Sequence, residues 1–248
     1  QPNKFEEAVQ KFALHHGLSF TSIIGEKLTD LNFPLIHAVG RAAQEAPRLL
    51  ELSWGDQKSK KVTLVGKGVC FDTGGLNIKL SKMNTMKKDM AGAAHILSLA
   101  HLIIKAGINL NLRVLIPIVE NSVSDRSFRP SDILTSRKGL TIEVNNTDAE
   151  GRLILADTLA FATEEKPDLL ISMATLTGAA RVALGPDIAP FFSNNKEFGL
   201  LIKEGGISKF DPVWELPFYQ PYQKMINSDI ADLNNAPFGS FGGALTAA

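Results

Sequence analysis

Short apolar runs alternate with segments of helical periodicity along most of this chain, and that alternation limits the possible folds more than any other feature. Residues 49–54, 62–65, 112–119 and 169–173 have the length and composition of buried strands, and residues 18–24 and 140–144 also read as strands. Between them, residues 5–16 place Phe5, Val9, Phe12 and Ala13 at helical spacing. Residues 90–105 are small and apolar enough for a helix packed on a sheet, and residues 150–164 carry Leu153, Leu155, Leu159 and Phe161 with helical periodicity. Strands alternating with helices predict an α/β fold: a mostly parallel, twisted sheet with helices on both faces. The polar stretch 55–61 is expected to be a hairpin turn, and 66–88 and 121–138 are expected to be loops. In such folds ligands sit beyond the carboxyl ends of the strands. The loops after Val65, Val144 and Ala174 should therefore share one edge.

The 248 residues allow one large domain or two small ones, and no linker or repeat divides them. An apolar fraction of 44% with 21% charged residues excludes disorder and collagen-like structure. Lys+Arg 26 against Asp+Glu 26 gives no net charge, which argues against nucleic acid as a partner and against attraction to anionic membranes. The single cysteine, Cys70, cannot form an internal disulfide or a Cys-rich zinc site, so it reads as a small buried residue in a reducing compartment. No apolar run reaches the roughly 18 residues of a spanning helix, because 91–106 is broken by His95, Ser98, His101 and Lys105. The start lacks a signal-peptide pattern, and a cytoplasmic location is expected. Both ends read as cut: residue 1 is Gln, and the chain stops in GGALTAA.

Three segments could carry chemistry. In VGKGVCFDTGGLNIK (65–79), Lys67 stands between two glycines directly after a strand, and Asp72 follows. The segment lacks the Walker pattern, and its single D-T-G does not suit an aspartic protease. In KKDMAGAA, Asp89 stands at the start of a helix, where an N-cap is the competing explanation. In NNTDAEGRL (145–153), Asp148 and Glu150 follow a strand and precede a helix, with Arg152 two residues on. Capping accounts for either carboxylate but less well for both together with Gly151 and Arg152. Four carboxylates gathered at one sheet edge would repel one another and raise their own pKa values. Two divalent cations would resolve that repulsion, and paired metals can activate water and polarise a carbonyl or phosphoryl group, so hydrolysis follows.

The block NTDAEGRL (146–153) resembles the signature of the leucyl aminopeptidase family, the dinuclear cytosol aminopeptidases. Three further family blocks occur in order: GKG-x-x-FD-x-GG-x-x-IK (66–79), MK-x-DM-x-GAA (86–94) and ATLTGA (174–179). The resemblance implies a zinc-exopeptidase-like catalytic domain over 1–248, with 1–60 as its leading helix and strand region and 61–248 as its metal-site core. It implies that Lys67, Asp72, Asp89 and Glu150 bind one divalent ion, and that Asp72, Asp148 and Glu150 bind another. The ions would be Zn²⁺ or Mn²⁺, with Mg²⁺ or Co²⁺ as other candidates. A water bridging the metals would be the nucleophile. Lys79 would polarise the substrate carbonyl, and Arg152 would hold bicarbonate as the general base. Thr175, Leu176, Gly178 and Asn146 match residues around the substrate, and Met86 matches a wall of the first side-chain pocket. His95 and His101 are expected to be helix-face residues, since the family uses no histidine ligands.

The family implies peptide substrates with a free N-terminus, Leu-like residues preferred, and a homohexamer. The resemblance further implies that the family's amino-terminal domain and the last part of its catalytic domain are expected to lie outside these 248 residues. Two other functions fit the same residues: a two-metal phosphoesterase, and a non-catalytic scaffold with a regulatory or DNA-binding role.

Overall fold

The computed structural model describes residues 1–239 and 241–248. The first half runs α1 (Pro2–His16), β1 (Ser19–Ile24), α2 (Lys27–Asp30), α3 (Pro34–Gly40), β2 (Arg48–Gly55), β3 (Lys61–Gly66), β4 (Gly68–Asp72), a 3₁₀ helix (Met83–Met90), α4 (Ala91–Lys105) and β5 (Asn111–Asn121). The second half runs β6 (Ile133–Thr135), β7 (Thr141–Glu143), α5 (Glu150–Glu164), β8 (Leu169–Met173), α6 (Gly178–Leu184), β9 (Ala189–Phe191) and α7 (Lys196–Ser208). It closes with β10 (Val213–Glu215), a 3₁₀ helix (Gln220–Ile226), β11 (Leu233–Asn234) and α8 (Gly243–Ala247).

The main sheet has the order β1-β2-β5-β3-β8, with β4 also paired to β5. Strands β3, β4 and β8 run parallel to β5, and only β2 is reversed against its neighbours. The expected hairpin across 55–61 does not form. Strands β2 and β3 lie on opposite sides of β5, and Gly55 and Lys61 both stand opposite Asn111, so the turn carries the chain over the start of β5. Strand β5 has a nearly continuous buried apolar run and can pair on both edges, which places it between two strands adjacent in sequence.

Alternation along each strand divides the core between the two faces. Leu50, Leu52, Leu64, Val114 and Ile116 pack with Val9 and Ala13 of α1 and with Ile96 and Ala100 of α4. Leu49, Val69 and Val119 pack on the other face with Leu35, Ile36 and Val39 of α3 and with Leu153 and Ile154 of α5. Side chains such as Leu64 and Ile96 are fully buried, a burial that contributes about 1.5–3 kcal/mol each. The helix α3, absent from the sequence reading, thus covers part of one face.

The pairing also sets up the site. Val65 stands opposite Leu115 and Gly68 opposite Ile118, so β3 and β4 follow one line along β5, with Lys67 at the break between them. At that break the Lys67 N–H donates to the Met173 carbonyl (3.0 Å) and the Lys67 carbonyl accepts from Ala93 N–H (3.0 Å). A Cβ on Gly92 would come within 2.1 Å of the Met173 oxygen, so glycine is required for α4 to approach this closely. The register then shifts between Val69 and Asp72, an irregularity of the kind that re-aims side chains near functional sites. Among the described residues, no helix is long and apolar enough to cross a membrane.

Candidate metal centre

The Lys67 side chain leaves the end of β3 and is 3% exposed. Its Nζ lies 2.9 Å from Asp89 Oδ2 and 2.9 Å from Glu150 Oε1, and it donates to the Thr175 carbonyl at 2.8 Å. Asp89 stands in the 3₁₀ helix ahead of α4 and does not cap it. The cap position is Met90, and the Asp89 carboxylate instead accepts from Thr175 Oγ1 (2.7 Å) and faces Lys67. Capping fails equally for Asp148 and Glu150, because the N-cap of α5 is Ala149 and Glu150 is the first helical residue. Burial pushes the Glu150 carboxyl up to about 7; the Lys67 ammonium opposes the shift, and the Asp72 and Asp89 charges reinforce it. Burial would depress the Lys67 ammonium, but the Glu150 and Asp89 carboxylates outweigh it and hold the pKa above the ordinary lysine value.

Asp72, Lys79 and Asp148 form the adjoining half. Lys79 Nζ lies 2.8 Å from Asp72 Oδ2 and is ion-paired with Asp148 as well. The other Asp72 oxygen accepts from Gly74 N–H (2.9 Å) and from Asn121 Nδ2 (2.8 Å). Burial raises the pKa of half-buried Asp148, with Lys79 opposing and the Asp72 charge adding to the rise. Thr147 joins the two loops: its Oγ1 donates to the Gly74 carbonyl (2.6 Å), and its N–H donates to Asn77 Oδ1 (2.8 Å). Asn235, just beyond β11, accepts from the N–H groups of Asn145 (2.8 Å) and Asn146 (3.1 Å) and donates to the Asn146 carbonyl (2.7 Å). The loops expected to share an edge thus do so, with Lys67, Glu150 and Thr175 in contact.

Oxygens of Asp72, Asp89 and Glu150 all lie within 4.8 Å of one another. Buried Asp89 Oδ2 and Glu150 Oε1 have the Lys67 ion pair but no directed hydrogen bond. The carboxylates of Asp72, Asp89, Asp148 and Glu150 outnumber Lys67 and Lys79, the cations paired with them, so the cluster favours further positive charge, and carboxylate oxygens suit hard divalent ions. The residues present therefore fit a metal ion. Arg152 adds a partly buried guanidinium whose Nε is buried without a partner, and it makes no ion pair among the described residues. Burial lowers its pKa, against the Glu150 charge, so an anion at this position would be stabilised.

The other candidates divide. Leu176 lies beside Gly151, where a Cβ would approach its Cδ1 to 3.0 Å, and Asn146 Oδ1 accepts from Asp148 N–H (2.8 Å). Met86 is buried in the short helix that carries Asp89, and Gly178 opens α6 into free space. His95 Nδ1 contacts the Ala91 carbonyl and His101 pairs with His16. Cys70 is partly buried, and burial pushes its thiol up to about 11. Asn121 and Thr147 were not singled out from the sequence. Asn121 opens the loop expected over 121–138, and its place just after a predicted strand at the ligand edge is its only local signal, whereas nothing local marks Asn235.

A profile described as the cytosol aminopeptidase family, catalytic domain, matches residues 1–248. A protein of Rhodopirellula baltica named "Probable cytosol aminopeptidase" is 41% identical over 249 residues, covering 100% of this chain and 49% of its own. The cytosol aminopeptidase of Encephalitozoon cuniculi is 42% identical, covering 86% of this chain and 45% of its own. The crystal structure of the cytosol aminopeptidase from Coxiella burnetii superposes with a TM-score of 0.96 at 47% identity, over 99% of this chain and 54% of that one. The chain spans about half the length of the curated relatives it matches. With its whole length matched and its buried carboxylates gathered at the sheet edge, the chain belongs to the cytosol aminopeptidase family.

Proposed function

We propose that this chain carries the hydrolytic centre of a two-metal aminopeptidase that removes N-terminal, Leu-like residues from peptides. The observation that carries the reading is the convergence of Asp72, Asp89 and Glu150 at ligand distance, with two oxygens lacking directed partners, in a chain matched throughout to this family. Lys67, Asp72, Asp89 and Glu150 would hold one ion, and Asp72, Asp148 and Glu150 the other, so Asp72 and Glu150 are shared. Divalent ions there would supply Lewis-acid polarisation and water activation.

The lysines have different tasks. Lys67 is sealed at 3% exposure, whereas Lys79 keeps 16% of its side chain open. Lys79 Nζ is thus the ammonium able to meet a substrate carbonyl, and it would donate to that oxygen as negative charge develops. Arg152, a cation lacking a carboxylate partner, would hold bicarbonate as the proton acceptor. A cytoplasmic homohexamer belongs to the same reading.

Hydrolysis of leucine p-nitroanilide in Mn²⁺ or Zn²⁺, with no turnover of p-nitrophenyl phosphate, is the expected result. Turnover of the phosphate ester alone would replace the reading with a phosphoesterase. The Glu150 pKa adds a pH prediction. With the carboxyl raised to about 7, its protonated form dominates below that pH, and a metal must displace the proton. Mn²⁺ affinity measured calorimetrically should therefore fall by up to about tenfold per pH unit between pH 7 and 5.5. Equal affinity at pH 8 and 5.5 would remove Glu150 from the ligand set.

A further inference from the structure

Asn121 closes β5 directly opposite Asp72 in the register and is 1% exposed. Its backbone carbonyl accepts from Thr73 N–H (3.1 Å) and Thr73 Oγ1–H (2.8 Å), which fixes the turn beyond Asp72. Its side-chain Nδ2 donates to Asp72 Oδ1 (2.8 Å) and to the Thr147 carbonyl (3.1 Å). A carboxylate and a carbonyl can only accept, so the amide must turn its nitrogen toward them. That orientation leaves Asn121 Oδ1 buried without a partner, beside Gly75, where a Cβ would come within 3.0 Å of it. An orphaned buried oxygen opposes folding, and the two hydrogen bonds made by Nδ2 hold the amide in the orientation that orphans it. A group kept at a cost to stability is accounted for by what its other end does.

We propose that Asn121 is the positioning residue of the metal centre. One amide group uses both protons to link two segments 75 residues apart, Asp72 and the backbone at Thr147 that leads into Asp148. It prevents the Asp72 carboxylate from rotating, keeps Oδ2 turned toward Lys79 and the site, and sets the spacing between Asp72 and Asp148. Thr147 is itself fully buried and tied to Gly74 and Asn77, so the link ends on a fixed support. Asn121 touches neither substrate nor reacting atoms in this scheme. Its effect passes through the ligand it orients. The inference rests on the two-metal reading above.

The test compares the wild-type protein with Asn121→Leu, which keeps the branching of the side chain and removes the donor. Mn²⁺ binding to metal-stripped protein is measured by calorimetry, alongside metal-free thermal melting and leucine p-nitroanilide hydrolysis across a metal titration. The variant should bind Mn²⁺ about 10 to 100 times more weakly, melt somewhat lower than wild type without metal because the Thr147 carbonyl loses its donor, and recover much of its kcat/KM in excess metal. If Asn121→Leu does not fold, Asn121→Ala serves in the same comparison. Unchanged Mn²⁺ affinity in the folded variant would overturn the proposal, as would a lost activity that excess metal fails to restore. Failure of the wild type to bind Mn²⁺ would instead refute the two-metal reading itself, so the two failures are distinguishable.

Discussion

Replacing Glu150 with glutamine should lower leucine p-nitroanilide hydrolysis by about a thousandfold or more, while the metal-free protein stays folded and at least as stable. Glu150 is 1% exposed and lies with Asp72 and Asp89 among oxygens within 4.8 Å, an arrangement that is unfavourable without cations. Glutamine keeps the shape and removes one of the mutually repelling charges, and Lys67 retains Asp89 at 2.9 Å as an ion-pair partner. Stability therefore has little to lose. The ligand set loses the carboxylate that both ions would share, so metal stoichiometry should drop together with kcat/KM. Elemental analysis after dialysis against Mn²⁺, with chemical denaturation of the stripped protein, measures both effects. Wild-type metal content with lost activity would move Glu150 from ligand to another role. Wild-type activity would exclude it from the centre.

The parts of this centre differed in how plainly the sequence displayed them. Helix α5 and strand β8 are readable to the residue, because Leu155, Leu159 and Ala162 recur four and three residues apart on one face and residues 169–173 are a bounded apolar run. Strand β4 was hidden. Its residues, Gly68–Asp72, have no alternation of their own, and their extended form comes from pairing with β5. The 3₁₀ helix Met83–Met90 offers few apolar positions, which left Asp89 looking like a cap for α4 when it is a partner of Lys67. The misread hairpin has the same origin: a turn signal gives a reversal of the chain but not which strand is inserted between the arms. Beyond β8, among the described residues, no hydrophobic side chain is buried before Ala236, so hydrophobic periodicity has little to report there. Asn235 reaches the 145–146 loop across about 90 positions, a separation that local pattern cannot span. The carboxylates and lysines were legible because their chemistry is conspicuous at strand ends; the amides that hold them were not.

Gly151→Ala should preserve the fold and lower kcat/KM by about a hundredfold, a separation that follows from where the added methyl group would go. Gly151 is the second residue of α5 with ordinary helical backbone, and alanine there is intrinsically favoured by about 1 kcal/mol. A Cβ at this position would lie 2.6 Å from Lys67 Cε, 2.7 Å from Lys67 Nζ and 3.0 Å from Leu176 Cδ1. A lysine at the surface would swing aside at little cost. Lys67 cannot do so freely, because Nζ is held by Asp89, Glu150 and the Thr175 carbonyl, and its backbone is bonded to Met173 and Ala93. Some of those contacts must lengthen, and a misplacement of a few tenths of an ångström to 1 Å falls on the shared ligand Glu150. The helix gains propensity while the site loses geometry, so melting temperature and activity should move independently. Gly205→Ala in α7 controls for the substitution itself, since nothing lies within 4 Å of its Cβ position and its activity should match wild type. Activity of Gly151→Ala within twofold of that control would show that hydrolysis does not depend on where Lys67 Nζ sits. A loss matched by a large drop in melting temperature would assign the glycine to packing instead.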